Sequence, residues 1–172
     1  MAHSGVGSAP HISGELFNMM AGLDLVGVPY RGQPEALTSL LGGQVQVVQV
    51  TFDPLANSIA HLRAGRLRAL GVTTAMRLPE LPEVPAVGEF VPEYEASGWS
   101  GIGAPRDTPG EVIDILNKEI NAGLADSRMK ARFADLGGYT AFASSPIEFR
   151  NFIADNVEKW AKVIRTANIR VE

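Results

Sequence analysis

The chain has 172 residues, 45% apolar and 20% charged, the makeup of one folded domain or two small lobes and not of a disordered segment. A formal net charge of -4 and the lack of any basic run exclude nucleic acid as the main partner. With no cysteine there are no disulfides, thiolate zinc sites or thiol nucleophiles, and no apolar run is long enough to span a membrane.

The chain opens on a glycine-spaced loop, His3-Ser4-Gly5-Val6-Gly7-Ser8-Ala9-Pro10-His11. Ile12, Leu16, Met19 and Met20 recur at the helical period behind it, so a helix is predicted over about Ala9–Ala21, with Ser8 as N-cap, Pro10 in the first turn and Gly22 as the stop. Leu25 to Tyr30 reads as a short buried strand. Arg31-Gly32-Gln33 is a turn, Pro34 helps open a second helix, and Gly42-Gly43 ends it. Gln44 to Phe52 is rich in β-branched residues and reads as a strand. Asp53 caps a third helix with Pro54 at its first position, Leu55, Ile59 and Leu62 as its buried stripe and Gly65 as its end. Leu67 to Thr73 reads as the next strand. Alternation of helix and strand with short links predicts a parallel sheet with helical crossovers.

Pro79, Pro82, Pro85 and Pro92 then forbid regular helix or central strand, which makes this segment an extended strap or interdomain link. Trp99 to Ala104 reads as a strand. Thr108-Pro109-Gly110-Glu111 reads as a capping box before a helix whose apolar face is Val112, Leu116, Ile120 and Leu124. A helix from Asp126 to Leu136 ends at Gly137-Gly138, and Tyr139 to Phe142 reads as a short strand. A second capping box, Ser145-Pro146-Ile147-Glu148, opens a last helix that runs to about Thr166 with Phe149, Phe152, Ile153, Val157, Trp160 and Ile164 on one face. The predicted division is 1–92, an α/β lobe, and 93–172, a helix-rich part.

The opening loop is the leading site candidate. Glycines at Gly5 and Gly7 let a ligand approach the main chain, and the amides at a helix start suit a carboxylate or phosphate. His11 in the first helical turn reaches either the ligand or the loop itself. Tyr30 and Arg31 end a strand at the edge where parallel sheets present ligands, with Tyr30 offering a hydroxyl and Arg31 a cation. Asp53 follows a strand on the same edge and is first of all a helix cap. Trp99 fits a hinge, a cleft wall or a core. Ser8, His11 and Asp53 suggest a serine hydrolase only weakly, since no nucleophile elbow surrounds them, and His3, His11 and His61 show no metal-ligand spacing.

Several segments taken in order resemble a known family. They are Ser4-Gly5-Val6-Gly7-Ser8 with His11 and Gly14-Glu15-Leu16-Phe17, then Val28-Pro29-Tyr30-Arg31-Gly32 and Leu41-Gly42-Gly43-Gln44-Val45. Phe52-Asp53, Ala64-Gly65-Arg66-Leu67-Arg68-Ala69-Leu70, Leu81-Pro82-Glu83-Val84-Pro85, Trp99-Ser100-Gly101, Ala104-Pro105 with Thr108-Pro109, and Lys159-Trp160 complete the series. Their order and spacing resemble the substrate-binding receptors of tripartite tricarboxylate transporters, the Bug or TctC family. The resemblance implies an α/β fold of the type II periplasmic-binding-protein kind, with two lobes about a ligand cleft, no catalysis and no cofactor. It implies a small organic carboxylate as ligand (a di- or tricarboxylate, or an acidic amino acid), a membrane permease as partner and a periplasmic location.

Carried over to this chain, the resemblance makes Ser4, Gly5, Val6, Gly7 and Ser8 one half of a carboxylate clamp, with His11, Tyr30, Arg31 and Asp53 as further candidates. The match is to the C-terminal part of the family pattern. The expectation is therefore a fragment without export signal, without most of the first lobe and without the strand that delivers the opening loop. Such a fragment is expected to bind weakly and to pair with a second copy through its uncovered surface. The alternative is an α/β fragment that has lost its ligand function.

Overall fold

A computed structural model describes residues 1–43, 52, 55–135 and 141–170. Its described part divides into two units, residues 1–98 with 160–172, and residues 99–159.

In the first unit, Ala2–His3 forms β1 and Val28–Pro29 forms β2, paired in parallel as a two-stranded sheet among the described residues. Val28 N–H donates to the Met1 carbonyl at 2.8 Å and Tyr30 N–H to the His3 carbonyl at 2.9 Å. Alternate residues donate to one neighbour in a parallel ladder, so Pro29 between them forfeits nothing on that side. A strand thus precedes the opening loop, where the sequence reading has none. β2 is shorter than the predicted Leu25–Tyr30 because Leu25 is taken by a side chain. Asn18 Nδ2 donates to the Leu25 carbonyl and Leu25 N–H donates to Asn18 Oδ1, both at 3.1 Å.

Between the strands lies α1, Ala9–Ala21. It stops at Gly22, whose φ of 65° is the left-handed cap that a glycine adopts without strain. Helix α2, Gln33–Leu41, carries Pro34 in its first turn as expected and ends at Gly42-Gly43. Helix α3, Leu55–Arg63, ends at Gly65; its predicted stripe is half-buried, and Ser58 is its buried residue. The predicted strand over Gln44–Phe52 and the Asp53-Pro54 cap lie outside the described residues, except for Phe52.

Leu67–Thr73 does not form a strand. Among the described residues Val72 alone forms a bridge, an isolated parallel one with Ala86, through Val72 N–H to the Pro85 carbonyl and Val87 N–H to the Val72 carbonyl, each 2.9 Å. Prolines at 79, 82 and 85 on the partner segment remove donors, so the ladder cannot extend. That proline strap belongs to the core: Val72, Val84 and Ala86 form one buried cluster, with Leu78 and Leu81 against it. Leu16, Tyr94, Ala96 and Val163 form the other, joined by Phe17, Phe52 and Trp160.

In the second unit, α4 spans Gly110–Ala125 and α5 spans Ser127–Asp135; α6, Pro146–Thr166, begins here and ends in the first unit. Thr108 is not the cap of α4: its hydroxyl donates to the Pro105 carbonyl at 2.8 Å, closing a turn instead. The Ser145 box forms as read, with Ser145 N–H on Glu148 Oε2 at 2.8 Å and Glu148 N–H on Ser145 Oγ at 3.2 Å. Asn117 and Asn121 on α4 both donate to the Ser144 carbonyl, at 2.9 and 3.0 Å, and so tie the start of α6 to α4. Trp99–Ala104 is irregular. A Cβ at Gly101 would fall 2.1 Å from the Phe149 ring, so the bare backbone there receives an aromatic face instead of a neighbouring strand. Of the predicted Tyr139–Phe142 strand, Ala141 and Phe142 are irregular and the rest lies outside the described residues.

Candidate functional site

The opening loop leaves β1 at His3 and enters α1 at Ala9. Gly5 has φ 117° and Gly7 φ 77°, values in the region where a side chain is strained, so both positions call for glycine. Ser8 stands at the N-cap position but makes no side-chain cap bond. Its hydroxyl points back and donates to the Gly5 carbonyl at 2.7 Å, and its amide donates to the same carbonyl at 3.2 Å. The loop closes on itself through Gly5 rather than through the first turn of the helix.

Two histidines lie against this turn. His3 is buried, 1% exposed, and its Nδ1 bonds the Gly5 carbonyl at 2.8 Å. A carbonyl only accepts, so that nitrogen carries the proton. The His11 ring stacks on it with centroids 4.2 Å apart and planes 21° apart. Gly7 N–H donates to His11 Nδ1 at 3.0 Å, so this nitrogen is unprotonated and the proton of neutral His11 sits on Nε2, 3.8 Å from Glu15 Oε1. Burial pushes both imidazoles below the ordinary histidine value; the Gly5 carbonyl opposes the shift at His3, and the Glu15 carboxylate opposes it at His11.

The donor set is accordingly smaller than the sequence suggests. The amides of Gly7 and Ser8 are spent inside the loop. Those of Gly5, Val6 and Ala9 have no acceptor among the described residues, and Val6 is half exposed. With the Ser4 amide, which likewise has no acceptor among the described residues, these N–H groups and the positive end of the α1 dipole are what the loop offers an anion.

The remaining candidates divide. Tyr30 joins the loop through its backbone, but its hydroxyl is 2.6 Å from Ser39 Oγ and so is already paired with a buried side chain on α2. Arg31 is exposed, and its amide donates to Glu35 Oε2 at 2.9 Å. Asp53 lies outside the described residues. Trp99 packs edge-on to Phe149 and Phe152, with centroids 5.7 and 5.4 Å away. The sequence reading missed His3 and Asn18, although a histidine directly before a Gly-x-Gly loop was a visible signal. Ser8 and His11 make no nucleophile–base pair: the hydroxyl serves Gly5, and the imidazole nitrogen it would need serves Gly7.

In overall fold the chain is similar to α/β periplasmic binding proteins of known structure. A structure described as R. palustris Rpa4515 with adipate matches with a TM-score of 0.81 and 36% identity, over 98% of this chain and 55% of the other. One described as the periplasmic binding protein BugD matches at 0.75 and 30%, over 99% and 57%. MatC (Rpa3494) from Rhodopseudomonas palustris with bound malate matches at 0.72 and 29%, over 95% and 55%. The family model of the tripartite tricarboxylate transporter family receptor matches residues 1–169, and the chain belongs to that family. Protein BugT of Bordetella pertussis is 34% identical over 99% of this chain and 52% of its own length. A UPF0065 protein of Bordetella bronchiseptica is 36% identical over 98% and 49%. The chain spans about half the length of both. The family consists of solute receptors and not of enzymes.

Proposed function

We propose that this chain acts as an extracytoplasmic solute receptor in the periplasm, holding a small organic dicarboxylate for the permease of a tripartite tricarboxylate-type transporter. The observation that carries the reading is the Ser4–Ser8 loop, with the amides of Gly5, Val6 and Ala9 uncommitted at the start of α1. Adipate and malate, held by two structurally similar proteins, are both dicarboxylates, which supports that ligand class. Each bond from an amide to a charged oxygen contributes about 1.5 to 3 kcal/mol. Two such bonds contribute about 3 to 6 kcal/mol, and the cost of fixing the ligand takes from that, so one loop alone binds in the millimolar range or more weakly. Arg31, exposed one residue beyond Tyr30, is the nearest lysine or arginine in sequence for a second carboxylate.

A thermal-shift series with adipate, malate and the neutral diamide of adipic acid tests this on the 172-residue chain. At about ten times the dissociation constant, a ligand of the native state adds about 1.4 kcal/mol. The diacids are expected to raise Tm by a few degrees and the diamide not at all. Gly7→Val, forced into a φ of 77°, should abolish the shift. Equal shifts from diacid and diamide, or an undiminished shift in Gly7→Val, would overturn the assignment.

A further inference from the structure

We infer that the stacked His3–His11 pair is a proton-operated latch that holds the Ser4–Ser8 loop closed when neutral and releases it when His11 is protonated. The direction of one bond sets the charge state of His11. Gly7 N–H points at His11 Nδ1 at 3.0 Å, and an amide can only donate. A proton on Nδ1 would set two donors against each other, so the bond exists only with neutral His11. The cation has another place to go: Glu15 Oε1 on the same helix lies 3.8 Å from Nε2. The ring thus faces the loop amide through Nδ1 and the carboxylate through Nε2, and a proton on Nδ1 ends the first contact while strengthening the second.

His3 sets the bias. It keeps its bond to the Gly5 carbonyl in either charge state, but it stacks 4.2 Å from His11, so a charge on one ring opposes a charge on the other. The groups facing the pair are Glu15 on α1, which favours the cation, and the Met1 amino group beside β1, which disfavours it at His3. On β2 and α2, which also pack on β1, the Tyr30 hydroxyl is bound to Ser39, and the Glu35 carboxylate accepts from the Arg31 amide. Burial lowers the basicity of both rings. Neutral rings are thus favoured in the fold: the latch is fully closed above the unfolded histidine value of about 6.5 and opens as pH falls below it. The consequence for ligand affinity rests on the carboxylate reading above; the loop transition does not.

NMR of the ligand-free chain between pH 8 and pH 4.5, following the imidazoles and the amides of Gly5 and Gly7, tests the latch. The Gly7 amide should move toward its unbonded position with the His11 midpoint, below about 6.5, while the Val72 and Ala36 amides hold still. The closed population should fall up to about tenfold per pH unit below that midpoint. His11→Gln, an acceptor that does not titrate, should remove the Gly7 transition, and Glu15→Gln should lower the His11 midpoint. A Gly7 amide indifferent to His11 protonation, or a transition that persists in His11→Gln, would overturn the latch. Should His11→Gln fail to fold, the wild-type ring and amide midpoints decide alone. Adipate added at pH 7.5 and pH 5 separates the two readings. Binding at neutral pH with no loop transition sinks the latch only, and a loop transition with no binding at either pH sinks the carboxylate reading only.

Discussion

The Tyr94 hydroxyl donates to the Ser13 carbonyl at 3.1 Å from inside the core, while its ring meets Phe17 edge-on at 5.8 Å. One residue thus links the end of the proline strap to α1, the helix that carries the candidate loop. Burial pushes its phenol well above the ordinary tyrosine range. Tyr94→Phe keeps the ring contacts and removes one hydrogen bond, so a loss of about 1 kcal/mol in urea unfolding is expected. Tyr94→Ala opens a cavity as well and should cost about 3 to 5 kcal/mol. Near-equal losses for the two variants would show that packing contributes little here. At this scale the sequence showed where the loop lies and hid which of its donors are spent. Gly5, Gly7 and the helix start are local signals. That His11 occupies the Gly7 amide, that Ser8 turns back to Gly5 and that Ser39 takes the Tyr30 hydroxyl depend on neighbours that folding supplies.

Helices were legible as elements and strands only in part, β2 falling inside the predicted Leu25–Tyr30. The bonds of α1, α2 and α6 run between near neighbours in sequence, so caps, prolines and glycine stops bound them within a residue or so. A strand needs a partner segment. Leu67–Thr73 has the composition of one, yet the proline strap opposite it supports a single bridge at Val72. Two element-scale predictions follow from the side chains that bound these segments. Ser145→Ala removes the cap of α6 and should cost about 1 kcal/mol by chemical denaturation. The strap is clasped by Arg77, whose Nε and Nη2 donate to the two Glu89 oxygens at 2.8 and 2.7 Å, while Ala86 N–H donates to Oε1 at 2.9 Å. The Arg77 bonds, with the Ala86 amide, hold the Glu89 carboxyl down to about 2. A depressed carboxyl binds fewer protons in the folded state, so its contribution is full above the ordinary value near 4.5 and is lost as pH falls toward 2. Glu89→Gln should flatten the fall in stability between those limits and leave a smaller effect of pH there than in the parent chain.

Across the whole molecule, burial is uneven. Among the described residues every fully buried side chain belongs to the first unit, whereas Ile115, Phe142, Ile147 and Val157 in the second are more than 60% exposed. Exposed apolar side chains in that number favour self-association, and light scattering at rising concentration is expected to show a mass above the monomer's; a constant monomer mass would contradict this. In the other unit, the proposed role of the Ser4–Ser8 loop is to receive a carboxylate on its uncommitted amides. Backbone NMR during an adipate titration at pH 7.5 reads those amides one by one. The largest shifts are expected on Gly5, Val6 and Ala9, saturating together in the millimolar range, with Ser8 moving less. Saturable shifts centred elsewhere, or none at these three amides at saturating adipate, would contradict it.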